Sequence, residues 1–169
     1  MITLGELNAL PVERFVALLG AVFEHSPWVA ERAAEARPFR SRAELLDEMR
    51  SVVLRASADE QLALIRAHPQ LGARGRSKMQ LTEASAKEQR RAGLDACTDE
   101  EFSRLMHLNS AYVEKFSFPF ILAVRGHTPE SILSALQSRL DNDVEAERHA
   151  AVSQIGLIGG YRLEELVES

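Results

Sequence analysis

Five histidines (His25, His68, His107, His127 and His149) and one cysteine, Cys97, are the side chains of this 169-residue chain best suited to proton transfer, metal binding or nucleophilic attack. No two histidines stand three or four residues apart, and there is no His-Glu-x-x-His motif or Cys/His cluster. Local spacing therefore predicts no metal site. Cys97 sits between Asp95 and Asp99, whose charges disfavour a thiolate, and it reads as an inert residue at a helix boundary. The run Gly72-Ala-Arg-Gly75-Arg-Ser-Lys78 has the composition of a phosphate loop but not its spacing, and no strand precedes it. G-x-G-x-x-G and G-x-S-x-G are both missing, so nucleotide-cofactor and serine-hydrolase chemistry lose their usual entry points.

What remains is His68-Pro69 and a polar stripe shortly after it. Ser85, Glu88 and Gln89 stand at i, i+3 and i+4, hence on one face of a helix. A histidine exchanges protons near neutrality, a neighbouring carboxylate favours its charged form, and a primary amide offers a donor and an acceptor together. The competing reading is a solvated helix face and a structural histidine at a helix end. Spacing alone favours that second reading.

The elements that must position these groups are helices. Ser41-Arg-Ala-Glu44, Ser57-Ala-Asp-Glu60 and Thr98-Asp-Glu-Glu101 are capping boxes, and Thr128-Pro129 is an N-cap followed by a first-turn proline. Phe15, Leu18, Leu19, Val22 and Phe23 recur at helical spacing after Pro11, and Ser26-Pro27 restarts the chain for a helix to about Ala36. Further periodic segments follow at 42–56, 58–66, 82–93, 99–116, 129–141 and 143–167. Hardly any stretch alternates with period two. The spacing predicts an all-α fold of about seven or eight helices in one domain spanning 1–169, with no repeat or linker. Two regions break the pattern. One is the Gly- and Arg-rich loop from His68 to Lys78, of a length that often carries function. The other is Gly156, Gly159 and Gly160 within the last helix, where close packing is expected. Phe118 to Val124 fits either a buried strand or the start of a buried helix.

Composition excludes several classes. Hydrophobic residues are 46% and charged residues 27%, ordinary for a globular chain able to build a core without disulfides. With 20 Lys+Arg against 25 Asp+Glu the net charge is −5, which argues against sequence-independent nucleic-acid binding. The first residues lack the pattern of a signal peptide. The longest apolar run, Phe118 to Val124, is far below the roughly 20 residues a membrane span needs. No membrane association is expected, and the cytoplasm or a similar reducing compartment fits best.

Several separate motifs, in order, resemble one family. They are Ala67-His68-Pro69-Gln70-Leu71-Gly72, then Ser85-Ala-Lys-Glu88-Gln89, then the run from Leu108-Asn109-Ser110-Ala111-Tyr112 to Phe116-Ser117-Phe118-Pro119-Phe120. The resemblance extends through Arg139-Leu140-Asp141-Asn142 with Glu145 to Ile158–Leu163 with Arg162. Together these resemble the OHCU decarboxylases, which act on 2-oxo-4-hydroxy-4-carboxy-5-ureidoimidazoline in urate breakdown. Ser117 departs from the pattern, standing where the family usually has Gly.

The resemblance implies an all-α, cofactor-independent enzyme, usually a homodimer, that converts OHCU into (S)-allantoin and CO2. His68 matches the family's catalytic histidine, and Glu88 is expected to assist it. Pro69, Ser85, Glu88, Gln89 and Arg162 match substrate-contacting positions. The main chain of Phe120, Ile121, Leu122, Ala123 and Val124 matches a segment that holds the substrate ring. The implied chemistry suits these residue types, because the substrate's own conjugated imine can receive the electrons released by decarboxylation, without a cofactor as sink. His68 would either deprotonate the substrate hydroxyl or protonate the product carbon. The alternative is an all-helical interaction module that kept the fold and lost the chemistry. The presence of His68, Glu88, Gln89 and Arg162 together argues against it.

Overall fold

A computed structural model describes residues 1–72 and 81–168. The chain folds into two compact units. The first, Met1–Ala67 with Ile155–Ser169, contains α1 (Leu4–Ala9), α2 (Val12–Leu19), α3 (Trp28–Ala33), α4 (Arg42–Arg55) and α5 (Ala58–Ala67), with a 3-10 turn at Ala34–Ala36. The second, His68–Gln154, contains α6 (Glu83–Arg91), α7 (Asp99–Phe116) and α8 (Pro129–Arg139). The long α9 (Val144–Leu166) begins in the second unit and ends in the first.

The all-α expectation holds among the described residues, where the one β feature is an isolated bridge between Ile2 and Val167. Nine α-helices appear there instead of seven or eight. The addition is α1, which Thr3 and Glu6 nucleate by capping each other's main chain. The Ser57/Glu60 and Thr98/Glu101 boxes form as reciprocal bonds of 3.0–3.3 Å. At α4 half of the box forms. Ser41 caps the N–H of Glu44, while the Glu44 carboxylate turns back to the N–H of Arg40 at 2.7 Å.

Each unit has its own apolar centre. In the first, Phe15, Leu19, Val29, Leu45 and Met49 are fully buried. Gly159 of α9 lies there against Phe23, whose ring would be only 3.1 Å from an added Cβ. The expected close packing of the α9 glycines is therefore present at that point. In the second, Tyr112 sits among Phe116, Phe118 and Phe120 with ring centroids 4.5 to 6.0 Å away. Phe118 to Val124 is neither strand nor helix. It is an irregular buried stretch leaving α7, and its polar main chain must find partners outside any regular ladder. The basic stretch 73–80, with Gly75 and Lys78, lies outside the described residues.

Candidate active site

His68 follows directly on the last residue of α5 and is buried, with 7% of its surface exposed. A turn carries the chain through Pro69, Gln70 and Leu71 to Gly72, whose φ of +77° is left-handed. A Cβ there would also fall 2.4 Å from Leu105 Cδ2 of α7. Position 72 thus needs glycine on two grounds, conformation and space.

Helices α6 and α7 clasp this turn. Gln89 Oε1 accepts the N–H of Gly72 at 2.9 Å, and its Nε2 lies 3.5 Å from the carbonyl of Gln70. Asn109 Nδ2 of α7 donates to the carbonyl of Leu71 at 3.1 Å. Thr82 caps α6 by accepting the N–H of Ser85. The polar stripe on α6 is not a solvated face. Ser85 and Gln89 are 5% and 7% exposed, and Glu88 is half-buried. Burying polar side chains costs free energy unless they are bonded, and Gln89 meets that requirement by holding the His68 turn.

The 120–124 stretch of the same unit is held by α8 and α9. Arg139, at the end of α8, donates Nη1 to the carbonyl of Ile121 at 2.5 Å and lies over the Phe120 ring at 4.5 Å. Gln154 of α9 accepts the N–H of Ala123 at 2.9 Å. Arg139 is itself fixed by Glu147, a fully buried carboxylate that also accepts from Tyr112 Oη and Asn142 Nδ2. Burial, with the Glu147 carboxylate beside it, pushes the Tyr112 phenol far above its ordinary range, so it stays a neutral donor. Asn109 and Tyr112 are one turn apart on α7. One helix therefore supports both the His68 turn and, through Glu147 and Arg139, the 120–124 stretch.

Of the residues singled out in the sequence, Pro69, Ser85, Glu88, Gln89 and Phe120–Val124 all fall in the second unit with His68. Arg162 belongs to the first. There it is buried, pairs with Glu24 at 2.8 Å and faces the carbonyls of Ala21 and Val22. Arg139, Glu147 and Gln154 were not read as functional residues. They come from two helices and act on a third segment, so no local spacing marks them. No group of three potential metal ligands occurs among the described residues. No helix there is long and apolar enough to cross a membrane.

The family model for OHCU decarboxylase matches residues 8–164. A 2-oxo-4-hydroxy-4-carboxy-5-ureidoimidazoline decarboxylase of Haloferax volcanii is 40% identical over 99% of this chain and 98% of its own length. A uric acid degradation bifunctional protein of Bacillus sp. (strain TB-90) is 41% identical over 98% of this chain, which spans 32% of that longer protein. Among solved structures, an (S)-allantoin synthase superposes with a TM-score of 0.82 at 29% identity, over 100% of this chain and 55% of that one. A match from residue 8 to residue 164, and identity that runs end to end with a relative of the same length, mean that the chain belongs to the OHCU decarboxylase family.

Proposed function

We propose that this protein decarboxylates OHCU to (S)-allantoin and CO2 in urate degradation, using no metal or organic cofactor. The observation that carries the reading is the 40% identity to the Haloferax decarboxylase along the full length of both chains. CO2 leaves the ring carbon that bears the hydroxyl without the bonding pair. That pair forms a double bond to the neighbouring ring carbon, and the imine pair moves on to ring nitrogen, which takes a proton. The resulting enol loses its hydroxyl proton as the neighbouring carbon gains one on a single face. The sum is CO2 lost and one proton taken up. The electron sink is the substrate itself.

On this reading the protein orients the carboxylate, stabilises charge on nitrogen and controls one proton. His68 exchanges that proton from its fixed turn. Glu88 favours the charged imidazole and accepts from the substrate hydroxyl or ureido N–H. Pro69, Ser85 and Gln89 contact the substrate beside it. Main-chain groups of Phe120–Val124 bind the ring, and Arg162 offers a planar fork for carbonyl or carboxylate oxygens. The two units act as one domain, the enzyme is a homodimer, and it works in the cytoplasm.

The test is stereochemical. OHCU is generated from urate by the upstream enzymes in the presence of the chelator-dialysed protein. The expected result is accelerated loss of OHCU and optically active allantoin. Racemic allantoin formed at the spontaneous rate overturns the proposal. A rate that disappears on dialysis and returns with added metal overturns its cofactor-free part.

A further inference from the structure

The atoms that α8 and α9 take from the 120–124 stretch fix which way the main-chain groups of Leu122, lying between them, point. Arg139 occupies the carbonyl of Ile121, and Gln154 occupies the N–H of Ala123. In a trans peptide unit the C=O and N–H point in opposite directions, and the one cis bond among the described residues is Arg37–Pro38. The carbonyl of Ile121 shares its peptide plane with the N–H of Leu122. The N–H of Ala123 shares its plane with the carbonyl of Leu122. Arg139 thus aims the Leu122 N–H away from itself, and Gln154 does the same to the Leu122 C=O. Leu122 is 9% exposed, yet neither of its main-chain groups makes a hydrogen bond among the described residues. Buried main-chain groups are paired in more than about nine cases in ten. A donor and an acceptor left together on one buried residue point to a ligand with the complementary pair, such as the N–H and C=O of a cyclic ureide.

We propose that Arg139 and Gln154 are positioning residues that hold the main chain of Leu122 as a donor–acceptor pair for the ring amide of the substrate. This rests on the reading of the 120–124 stretch as a substrate-binding segment and assigns the residues that orient it. The arginine suits the task because its planar fork has donors enough for a carboxylate and a carbonyl at once. Two of its nitrogens, Nε and Nη2, lie on Glu147 Oε1, which leaves Nη1 for Ile121. The buried ion pair is thereby explained as more than scaffold. It fixes one peptide plane.

Removing Arg139 alone would strand the Glu147 carboxylate in the interior, so the primary variants are at Gln154, which is half-buried. Gln154→Leu removes the acceptor at similar size, and Gln154→Glu keeps an acceptor oxygen. Steady-state kinetics on OHCU are expected to show KM raised roughly 3- to 10-fold in Gln154→Leu, the worth of about one hydrogen bond. The value of kcat should change far less, and Gln154→Glu should recover most of the KM. Inhibition by (S)-allantoin should weaken in parallel. The neutral double variant Arg139→Met/Glu147→Met, with its fold checked by circular dichroism, should raise KM in the same way. An unchanged KM in Gln154→Leu, with the wild type active, overturns the inference and leaves the decarboxylase reading standing. A wild type that yields only racemic allantoin at the uncatalysed rate overturns both.

Discussion

Gln89 separates two jobs that residue type alone does not distinguish. In the sequence its amide is a substrate-recognition group, and on that basis Gln89→Ala would fall more on KM than on kcat. In the structure Gln89 Oε1 is committed to the N–H of Gly72, and a buried donor left without its acceptor costs about 1–3 kcal/mol. Gln89→Ala is therefore expected to lower the thermal midpoint by a few degrees and to lower kcat, because the turn holding His68 loosens. Glu88→Ala, at a half-buried position, should reduce turnover with little change in melting. Calorimetry beside initial rates checks both, and a Gln89→Ala enzyme that melts like wild type would return this residue to recognition alone. His68 and the α6 stripe stood out by type and by i, i+3, i+4 spacing, but that spacing alone favoured a solvated face and a structural histidine, and it was the resemblance to the decarboxylases that gave them chemistry. Gln154 and Glu147 did not stand out, since each is an ordinary residue of an amphipathic helix until the chain folds and puts a main-chain group or a buried cation against it.

At the scale of elements, the helix boundaries were written in short capping signals and mostly form as read, because a cap depends on residues within four positions of each other. Phe118 to Val124 could not be read this way. It has no ladder of its own, and Arg139 and Gln154, from two later helices, fix its course. The stop signal of α7 shows how one residue bears on that course. Ser117 caps this helix with φ 62° and ψ 22°, a left-handed conformation, and the glycine usual at this place in the family adopts it without a Cβ penalty. Ser117→Gly is expected to stabilise the protein by about 1 kcal/mol, or roughly 2–4 °C in midpoint for a chain of this size. A melting curve that moves down instead would mean that the serine side chain contributes more than its backbone strain costs. The salt link between α3 and α5 has a pH signature. Arg32 donates to Glu60 and, with the N–H of Ser57, lowers the Glu60 carboxyl from its ordinary 4.5 to about 2. A carboxyl lowered by folding stabilises the fold above its unfolded pKa and loses that effect as pH falls towards its folded one. Glu60→Gln should accordingly remove a small stabilisation that is fully present at pH 7 and flatten the stability profile between about pH 4.5 and 2, the more so at low salt.

On the scale of the whole molecule, each unit encloses one fully or nearly buried carboxylate matched to an arginine, Glu24 with Arg162 in the first and Glu147 with Arg139 in the second. Breaking such a pair by removing one partner costs about 3–5 kcal/mol. Glu147→Ala is expected to lower the melting midpoint by roughly 10 °C, in a single transition on the proposal that the two units act as one domain. A second transition persisting at the wild-type temperature would show that the units unfold independently. The division of the chain between the units also sets an order of birth. Residues 68–154 are contiguous, so the second unit can close as soon as they leave the ribosome. The first unit needs Ile155 onward, including the Gly159 surface against which Phe23 packs. At about 5–20 residues per second the ribosome makes the intervening stretch in roughly 4 to 18 seconds, and over that interval the nascent N-terminal helices await the segment that covers them. In the cell, the half of this protein made first is the half finished last, and that waiting half is where a chaperone would have something to hold.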